Sequence, residues 1–323
     1  MIWSGWLALL VSFVVAFIAL PVMIPRLGRV GLVGQDMQKP GRPRIPEMGG
    51  LALVTGFGAA LLVAIALKTF FHLLPRVDLV GLLAVLATVL LIALVGILDD
   101  LIAVRQIVKA VTPLFAALPL VAIRSGYTVL NLPFVGYVNF GLLYPLVFVP
   151  LGVTGAANAM NMLAGFNGVE VGMGAVAFLA LTVIALSLGK LTAALILLAA
   201  LGAALACLYY NWYPARIFIG DVGTLSMGAV LASAVILGNF ETAGVILVIP
   251  HLFDLVLKAA HGFPKSFGIC HRGKLYCPES GPVGLGQLIM KLSGGISERN
   301  LTLVLIGLEV LMGLIAVWLY ARF

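Results

Sequence analysis

Charged residues are scarce in this sequence. They account for 10% of the 323 residues, while 63% are hydrophobic, whereas a soluble domain has about 25% charged and about 45–50% apolar residues. A chain with so few charges cannot cover its surface with groups that water solvates. The composition therefore excludes a soluble domain and predicts a protein whose solvent is the lipid bilayer, with no nucleic acid among its partners.

Cysteine is equally scarce, with three residues that do not amount to a disulfide framework. Cys207 lies in an apolar run and is expected to be a small core residue. Cys270, His271 and Cys277 leave a zinc site open as an alternative, although their spacing gives no regular set of four ligands. A cleavable signal peptide is not expected, because the apolar run 3–24 has no basic segment before it and no small-residue cleavage site.

Apolar runs long enough to cross a membrane recur along the chain. One span needs about 20 such residues, and the runs of that order are 3–25, 48–67, 78–98, 107–123, 141–160, 169–189, 191–209, 223–239, 241–257 and 301–321. No internal repeat or low-complexity segment accompanies them. We therefore predict an all-α, polytopic integral membrane protein with about ten transmembrane helices, formed as a single transmembrane domain by residues 1–323.

The basic residues lie mostly on one side of these spans. With spans that alternate in direction, 14 of the 19 Lys and Arg residues fall in one set of polar segments, and the other five are Lys68, Arg76, Arg124, Lys190 and Arg322. Cytoplasmic loops carry the excess of Lys and Arg, which predicts both termini on the extracytoplasmic side. The cytoplasmic loops are then expected near 26–47, 99–107, 158–170, 210–222 and 258–300.

Most acidic residues fall on the same predicted face, at the ends of the spans. A transporter usually carries its ionisable residues near the middle of the bilayer, on broken helices. Charges that gather at one face instead favour chemistry at the cytoplasmic interface, where a soluble donor can meet a lipid acceptor.

Two adjacent carboxylates, Asp99 and Asp100, end the third apolar run, and Arg105 and Lys109 follow them. Adjacent carboxylates repel, so a bound cation or a basic neighbour is expected to stabilise them. The alternative is a helix end that dips into the headgroup region, with the two basic residues as interface anchors.

Asparagine and glycine interrupt the chain between two apolar runs at 158–170. Asn158, Asn161 and Asn167 offer neutral oxygen ligands and hydrogen bonds, and glycine lets a backbone approach a ligand closely. An ordinary tight turn rich in these residues is the alternative.

An aspartate stands just before the apolar run 223–239. Asp221 could cap that helix, or it could bind Mg²⁺, which takes one or two carboxylates together with water and substrate phosphates. The aromatic residues around 209–213 are typical of a membrane-interface belt.

Two further segments on the predicted cytoplasmic side carry basic residues. Those of the first loop, up to residue 50, could attract anionic lipid headgroups or a nucleotide diphosphate. The segment 258–300 contains side chains of the kind that contact phosphate or sugar hydroxyls, namely His261, Lys265, His271, Arg272 and Lys274.

Together these segments resemble the polyprenyl-phosphate N-acetylhexosamine-1-phosphate transferases, and within that superfamily the eukaryotic and archaeal UDP-GlcNAc:dolichyl-phosphate GlcNAc-1-phosphotransferases. The resemblance runs from about residue 34 to the last span. Its motifs are 35–36 with 45–47, Asp99-Asp100 with Arg105 and Lys109, 158–170, and 211–221. The family implies ten spans with the site on the cytoplasmic side. The bacterial peptidoglycan branch has an Asp-Gly-x-Asp-Gly pattern where this chain has 164–168, which argues against that branch.

The resemblance implies an enzyme that transfers N-acetylglucosamine 1-phosphate from UDP-GlcNAc to a polyprenyl (dolichyl) phosphate, giving UMP and the first intermediate of lipid-linked N-glycan assembly. It implies Mg²⁺ held by Asn161 and Asp221, and catalytic roles for Asp99, Asp100 and Lys109, with Asp99 either a base or a positioning group. Substrate contacts are expected from Gln35, Asp36, Glu47, Asn158, Asn167, Glu170, Arg216, Lys265, His271 and Arg272.

One departure from the family concerns recognition of the sugar. The eukaryotic enzymes have an Arg-His-Arg cluster in their last large loop, and here either His271 with Arg272 or Lys265 could take its place. The donor could therefore be another UDP-N-acetylhexosamine. A transporter of lipid-linked sugars is the alternative from a different class. The expected location is the plasma membrane in a prokaryote or the endoplasmic reticulum in a eukaryote, and a homodimer stays open.

Overall fold

Long helices make up most of the chain. The computed structural model describes residues 2–102, 104–132 and 136–321, so that Arg322, assigned above to the extracytoplasmic set, lies outside the described residues. In chain order the elements are α1 (Ile2–Arg29), β1 (Val33–Gln35), β2 (Arg44–Pro46), α2 (Gly50–Phe71), α3 (Leu79–Ile102), α4 (Gln106–Ala116), α5 (Leu118–Ala122), β3 (Val129–Leu132), β4 (Gly136–Asn139), a π-helix (Tyr144–Phe148), α6 (Val149–Met162), α7 (Val169–Ser187), α8 (Leu191–Asn211), α9 (Gly220–Gly238), α10 (Glu241–Ala260), β5 (Ile269–His271), β6 (Lys274–Tyr276), α11 (Leu285–Leu292) and α12 (Glu298–Tyr320).

Eight helices in the described part of the chain are long and apolar enough to cross a membrane, namely α1, α2, α3, α7, α8, α9, α10 and α12. The prediction of an all-α, polytopic membrane protein is confirmed. The strands form three antiparallel hairpins, β1–β2, β3–β4 and β5–β6, which the sequence analysis did not predict.

The other two predicted spans, 107–123 and 141–160, are interrupted helices. α4 ends at Ala116 and α5 begins at Leu118, with Pro113 and Pro119 on either side of the break. Proline has no N–H to donate and its ring displaces the preceding turn, which accounts for the interruption. The second segment starts as the π-helix and continues as α6. The count of ten spans and the side of the termini stay predictions.

Glycines bring the helices into close contact where the functional residues lie. A Cβ on Gly96 of α3 would lie 2.6 Å from the backbone nitrogen of Val222 in α9, and one on Gly50 of α2 would lie 2.2 Å from the nitrogen of Gly223. Small residues let helix backbones approach this closely within a membrane. The first turn of α9 is thereby held between α2 and the end of α3.

Two predicted cytoplasmic segments are more ordered than loops. α6 continues to Met162, so Asn158 and Asn161 lie on its last turns rather than in the predicted 158–170 loop. Asn158 donates from Nδ2 to the carbonyl of Thr154, four residues earlier, at 2.9 Å, so its side chain bonds to its own helix instead of opening a turn. The 258–300 segment contains the β5–β6 hairpin and α11.

Candidate active site

A cleft of about 530 Å³ opens at the end of the helix bundle where α3, α6, α8 and α10 end and α4, α7 and α9 begin. Residues from widely separated parts of the chain line it. Those predicted from the sequence are Gln35, Asp36, Glu47, Lys109, Asn161, Glu170, Asp221 and Lys265. The end of the bundle that carries this cleft is the one for which the distribution of basic residues predicts a cytoplasmic location.

Lys109 is the centre of a polar cluster on the cleft wall. Its Nζ lies 2.7 Å from Oδ2 of Asp99 and also contacts the carboxylate of Asp221. With its amide oxygen turned toward Lys109, Asn161 accepts a hydrogen bond from Nζ at 3.0 Å. In the same orientation it donates to Asp221 at 3.1 Å and to the Thr224 hydroxyl at 2.7 Å. Lys109 therefore neutralises two carboxylates that come from different helices.

The two adjacent aspartates have different partners. Asp99 accepts a hydrogen bond from the backbone N–H of Val104 at 2.9 Å, and its other oxygen faces Lys109. Asp100 accepts from the backbone N–H groups of Asp221 and Val222, at 2.9 and 3.3 Å. Each carboxylate thus has its own donor, which offsets the repulsion expected between them.

Asp100 caps α9 from outside that helix. The residue before the helix, Ile219, makes no capping bond with its side chain, and the first free N–H groups are satisfied by Asp100 instead. Gly220 makes this possible, since its φ is +68° and a Cβ there would lie 2.6 Å from Oδ2 of Asp100. The side chain of Asp221 is not the helix cap considered above, because it points toward Lys109.

The cluster has the oxygen donors that Mg²⁺ prefers. Mg²⁺ usually takes one or two carboxylates and keeps waters or phosphates as its other ligands, and Asp221 with Asn161 provides such a partial set at the cleft. The contact between the Lys109 ammonium and the Asp221 carboxylate shows that the space beside Asp221 stabilises positive charge. Among the described residues no group of three or more His, Cys, Asp or Glu residues could hold a metal, so the zinc alternative at Cys270 gains no support.

A second polar network lies beside the cleft and joins three parts of the chain. Asp36, 2% exposed, contacts Lys39, whose Nζ also lies 2.7 Å from Oδ1 of Asn167 and 3.3 Å from Oε2 of Glu298. Asn167 donates to Asp36 at 3.2 Å and accepts from the N–H of Ala215 at 2.8 Å. These bonds use all the polar atoms of the Asn167 side chain, and Asn167 does not line the cleft.

Two other predicted substrate contacts, Asn158 and Arg216, do not line the cleft. Asn158 donates to the carbonyl of Ala110 at 3.2 Å, which ties α6 to α4 next to Lys109. The exposed Arg216 lies over the rings of Tyr209 and Tyr210, 4.9 and 4.5 Å from their centroids. Cation–π contacts of this kind hold a guanidinium in place, so both residues have structural partners.

Two glutamates, Glu47 and Glu170, also form part of the cleft wall. Glu170 accepts a hydrogen bond from the backbone N–H of Gly165 at 2.7 Å, which fixes the 163–168 turn. Burial, followed by the negative charge of Asp100, raises the pKa of Glu47 above its usual value. Gln35 lies on strand β1, in register with Arg44.

The long segment brings one of its predicted residues to the cleft. Lys265 lines it together with its neighbours in 263–267. His271 and Arg272 lie instead at the exposed tip of the β5–β6 hairpin, where Arg272 has φ +48° and Gly273 has φ +76°. The structure therefore favours the Lys265 alternative for contact with the donor.

Sequence reasoning missed Lys258, a residue of the cleft wall, and Gln38, a residue outside the lining. Lys258, whose Nζ lies 2.8 Å from Oδ2 of Asp254 and contacts the carbonyl of Met162, also lines the cleft. Gln38 is 3% exposed and bonds to two loops. For Lys258 the sequence did contain a signal, because an Asp and a Lys four residues apart at the end of an apolar run can pair on one helix. No sequence pattern indicated a role for Gln38.

Comparison with known proteins places this geometry in a family. Residues 82–239 match the model of glycosyl transferase family 4, and this range contains the Asp99, Lys109, Asn161 and Asp221 cluster. A relative from Clostridium perfringens, named phospho-N-acetylmuramoyl-pentapeptide-transferase, is 28% identical over 79% of this chain and 83% of its own.

Other relatives carry a different name. The Dictyostelium discoideum UDP-N-acetylglucosamine–dolichyl-phosphate N-acetylglucosaminephosphotransferase is 26% identical, over 89% of this chain and 81% of its own. A Saccharolobus solfataricus protein that bears the same name provisionally is 38% identical over 96% of this chain and 95% of its own. With this similarity along almost its whole length, the chain belongs to glycosyl transferase family 4, within the superfamily of polyprenyl-phosphate N-acetylhexosamine-1-phosphate transferases that its motifs predicted.

Proposed function

We propose that this protein transfers N-acetylglucosamine 1-phosphate from UDP-N-acetylglucosamine to a polyprenyl phosphate of the dolichyl type. An oxygen of the lipid phosphate attacks the phosphorus that carries the sugar, and the bond from that phosphorus to the oxygen bridging it to UMP breaks. The products are UMP and polyprenyl-diphospho-N-acetylglucosamine. Relatives that carry this activity in their names, at up to 38% identity over nearly the full chain, support the choice of substrates.

The observation that carries the proposal is the convergence of Lys109, Asn161 and Asp221 at one cleft beside the membrane-spanning bundle. Both substrates are anionic, so their approach is repulsive until positive charge lies between them. Phosphoryl transfer depends mainly on positioning and on charge neutralisation. The Lys109 ammonium, held by carboxylates on two sides, lies at the cleft wall, where it can exchange a carboxylate partner for phosphate oxygens.

Asp99 acts as a positioning residue in this proposal. One of its oxygens accepts the Val104 N–H and the other bonds to Lys109 at 2.7 Å. A phosphate monoester has a second pKa near 6, so the acceptor is already mostly ionised at neutral pH. The loss of activity in Asp99→Asn should therefore be independent of pH. A loss that shrinks as pH rises would identify Asp99 as a base instead.

Mg²⁺ belongs to the proposal as the cofactor, with Asp221 and Asn161 as its protein ligands. When bound, the ion would neutralise negative charge on the donor diphosphate. Lys109 and the neighbouring residues would bind and orient the donor diphosphate and the lipid phosphate. The proposed site faces the cytoplasm, where the positive-inside rule puts the end of the bundle that carries the cleft.

The experiment measures UMP release by the purified full chain with UDP-N-acetylglucosamine, polyprenyl phosphate and Mg²⁺, each omitted in turn. We expect release only when all three are present, and a decrease of roughly 100-fold or more in Asp221→Asn. Glu279→Gln, a charge removal at an exposed loop position, is the matched control. Mg²⁺ should raise the Tm of the parent protein but not that of Asp221→Asn.

The same assay decides between the proposal and its alternatives. A panel of UDP-sugars identifies the donor, and release with another UDP-N-acetylhexosamine alone would correct the substrate and keep the reaction. Movement of a labelled lipid-linked sugar across liposomes, with no UMP formed by folded protein, would show a transporter instead.

A further inference from the structure

One peptide group beside the cleft is held at both ends by glutamine side chains. Oε1 of Gln38 accepts a hydrogen bond from the N–H of Gly268 at 3.1 Å. Nε2 of Gln287 donates to the carbonyl of Phe267, the other half of the same peptide unit, at 2.8 Å. Both glutamines are 3% exposed, so removing either leaves a buried polar group without its partner.

Each glutamine also bonds to a second part of the chain. Nε2 of Gln38 donates to the carbonyl of Gly165 at 3.2 Å, in the turn whose N–H is bound by Glu170. Oε1 of Gln287 accepts from the N–H of Val283 at 2.9 Å. The 267–268 peptide is thereby tied to the 163–168 turn on one side and to the start of α11 on the other.

Packing around this peptide leaves little freedom to move. A Cβ on Gly268 would lie 2.8 Å from Sδ of Met290, and one on Gly165 would lie 3.4 Å from the ring of Phe267. The five residues immediately before Gly268, 263–267, all line the cleft. The position of Lys265 in the cleft therefore depends on where this peptide is held.

We propose that Gln38 and Gln287 are positioning residues for donor-sugar recognition, because together they fix the 263–268 segment as one wall of the cleft. The inference rests on the proposed function. Lys109 and its neighbours contact phosphate groups common to every UDP-sugar, so the sugar must be distinguished by another part of the cleft. A wall held in advance spares the entropy of ordering it when the donor binds.

The first test uses the protein without substitution. Gly268 lies in a connecting segment, and its N–H is protected by a side chain. In the purified full chain, hydrogen exchange resolved to single amides should show slow exchange at Gly268. Exchange there as fast as in an unprotected loop would overturn the proposal without any variant having to fold.

The second test compares Gln38→Met and Gln287→Met, which keep side-chain length and remove the amide. We expect faster exchange across 263–272 and a rise in donor KM of roughly tenfold in each, from the loss of buried hydrogen bonds. The KM for polyprenyl phosphate and inhibition by UMP should change much less, and the preference for UDP-N-acetylglucosamine over UDP-glucose should narrow. Lys291→Met, an exposed position on the same helix as Gln287, is the control and should match the parent.

The double variant gives the sharpest outcome. Because Gln38 and Gln287 hold opposite ends of one peptide, the loss in the double variant should be smaller than the product of the single losses. The inference would be refuted if the variants had a lower Tm, an unchanged donor preference, and equal increases in the KM for donor and for acceptor. Both residues would then have structural roles only. Absence of UMP release from the parent protein would refute the proposed function. The exchange measurements would still test whether the two glutamines hold the 267–268 peptide.

Discussion

Asp100→Asn is the substitution that most directly tests how the cluster is built. Asp100 does not line the cleft, and its two oxygens accept the backbone N–H groups of Asp221 and Val222. Asparagine keeps the size of the side chain and one acceptor oxygen. Its amide nitrogen would face an N–H, so one of the two bonds is lost, along with the negative charge at the start of α9.

The expected loss follows from these contacts. A hydrogen bond from a backbone N–H to a carboxylate contributes about 1.5–3 kcal/mol, and a negative charge at a helix N-terminus adds about 0.3–1 kcal/mol. Asp100→Asn should therefore reduce the free energy of unfolding by about 2–4 kcal/mol. Because the first turn of α9 carries Asp221, activity should fall as well, but by less than in Asp221→Asn.

Thermal unfolding and UMP release, measured on the same preparation, separate the two effects. Asp99→Asn is the matched comparison, since it removes the partner of Lys109 at 2.7 Å but leaves the α9 cap intact. We expect Asp100→Asn to lower Tm more and Asp99→Asn to lower kcat more. An unchanged Tm in Asp100→Asn, with activity lost as completely as in Asp221→Asn, would refute the capping role and place Asp100 among the groups that contact substrate.

Three further predictions concern the surroundings of the site. Glu47 has a raised pKa from burial; an acid of this kind contributes stability below its unfolded pKa and loses it as pH rises through its folded pKa. Glu47→Gln should accordingly raise Tm relative to the parent at about pH 8, with a smaller gain at about pH 5; a pH-independent difference would contradict this. Lys265→Ala should lower kcat/KM for the donor roughly tenfold, whereas Arg272→Ala should not; the reverse result would restore the hairpin as the sugar contact. Asn167→Ala should destabilise the fold by about 2–3 kcal/mol by leaving the buried partners of its amide unpaired, and an unchanged midpoint of chemical unfolding would count against the network.

The sequence predicted the parts of the structure that depend on local composition. Apolar runs located the eight long helices, and the motifs located Lys109, Asn161 and Asp221, which meet at the cleft. It did not predict the breaks at Ala117 and in the π-helix, although Pro113 and Pro119 mark the first of these breaks in the sequence. Asn158, which was expected to contact substrate, bonds to its own helix and to α4.

Contacts between residues far apart in the chain could not be predicted from a single sequence. Gln38 and Gly268 are separated by 230 positions, and neither has a local pattern that marks it. The hairpin at 269–276 had a partial signal in Gly273, because glycine suits a tight two-residue turn with positive φ, whereas arginine at the preceding position does not. Recognising that turn would have placed His271 and Arg272 at a hairpin tip and left Lys265 as the candidate for the cleft.

The residues of a family motif serve two physical purposes, and the structure separates them. Asp36, which borders the cleft, and Asn167 lie in motifs that suggested substrate binding, yet their polar atoms are bound within the protein, to Lys39, to each other and to backbone N–H groups. Lys109 and Asp221, by contrast, bond to each other at the wall of an open cleft. A buried network that is fully bonded gives rigidity, whereas charged groups at an open cleft can exchange their partners for a substrate. Substitutions in the first group should therefore lower stability and activity together, and substitutions in the second should lower activity in a protein that still folds.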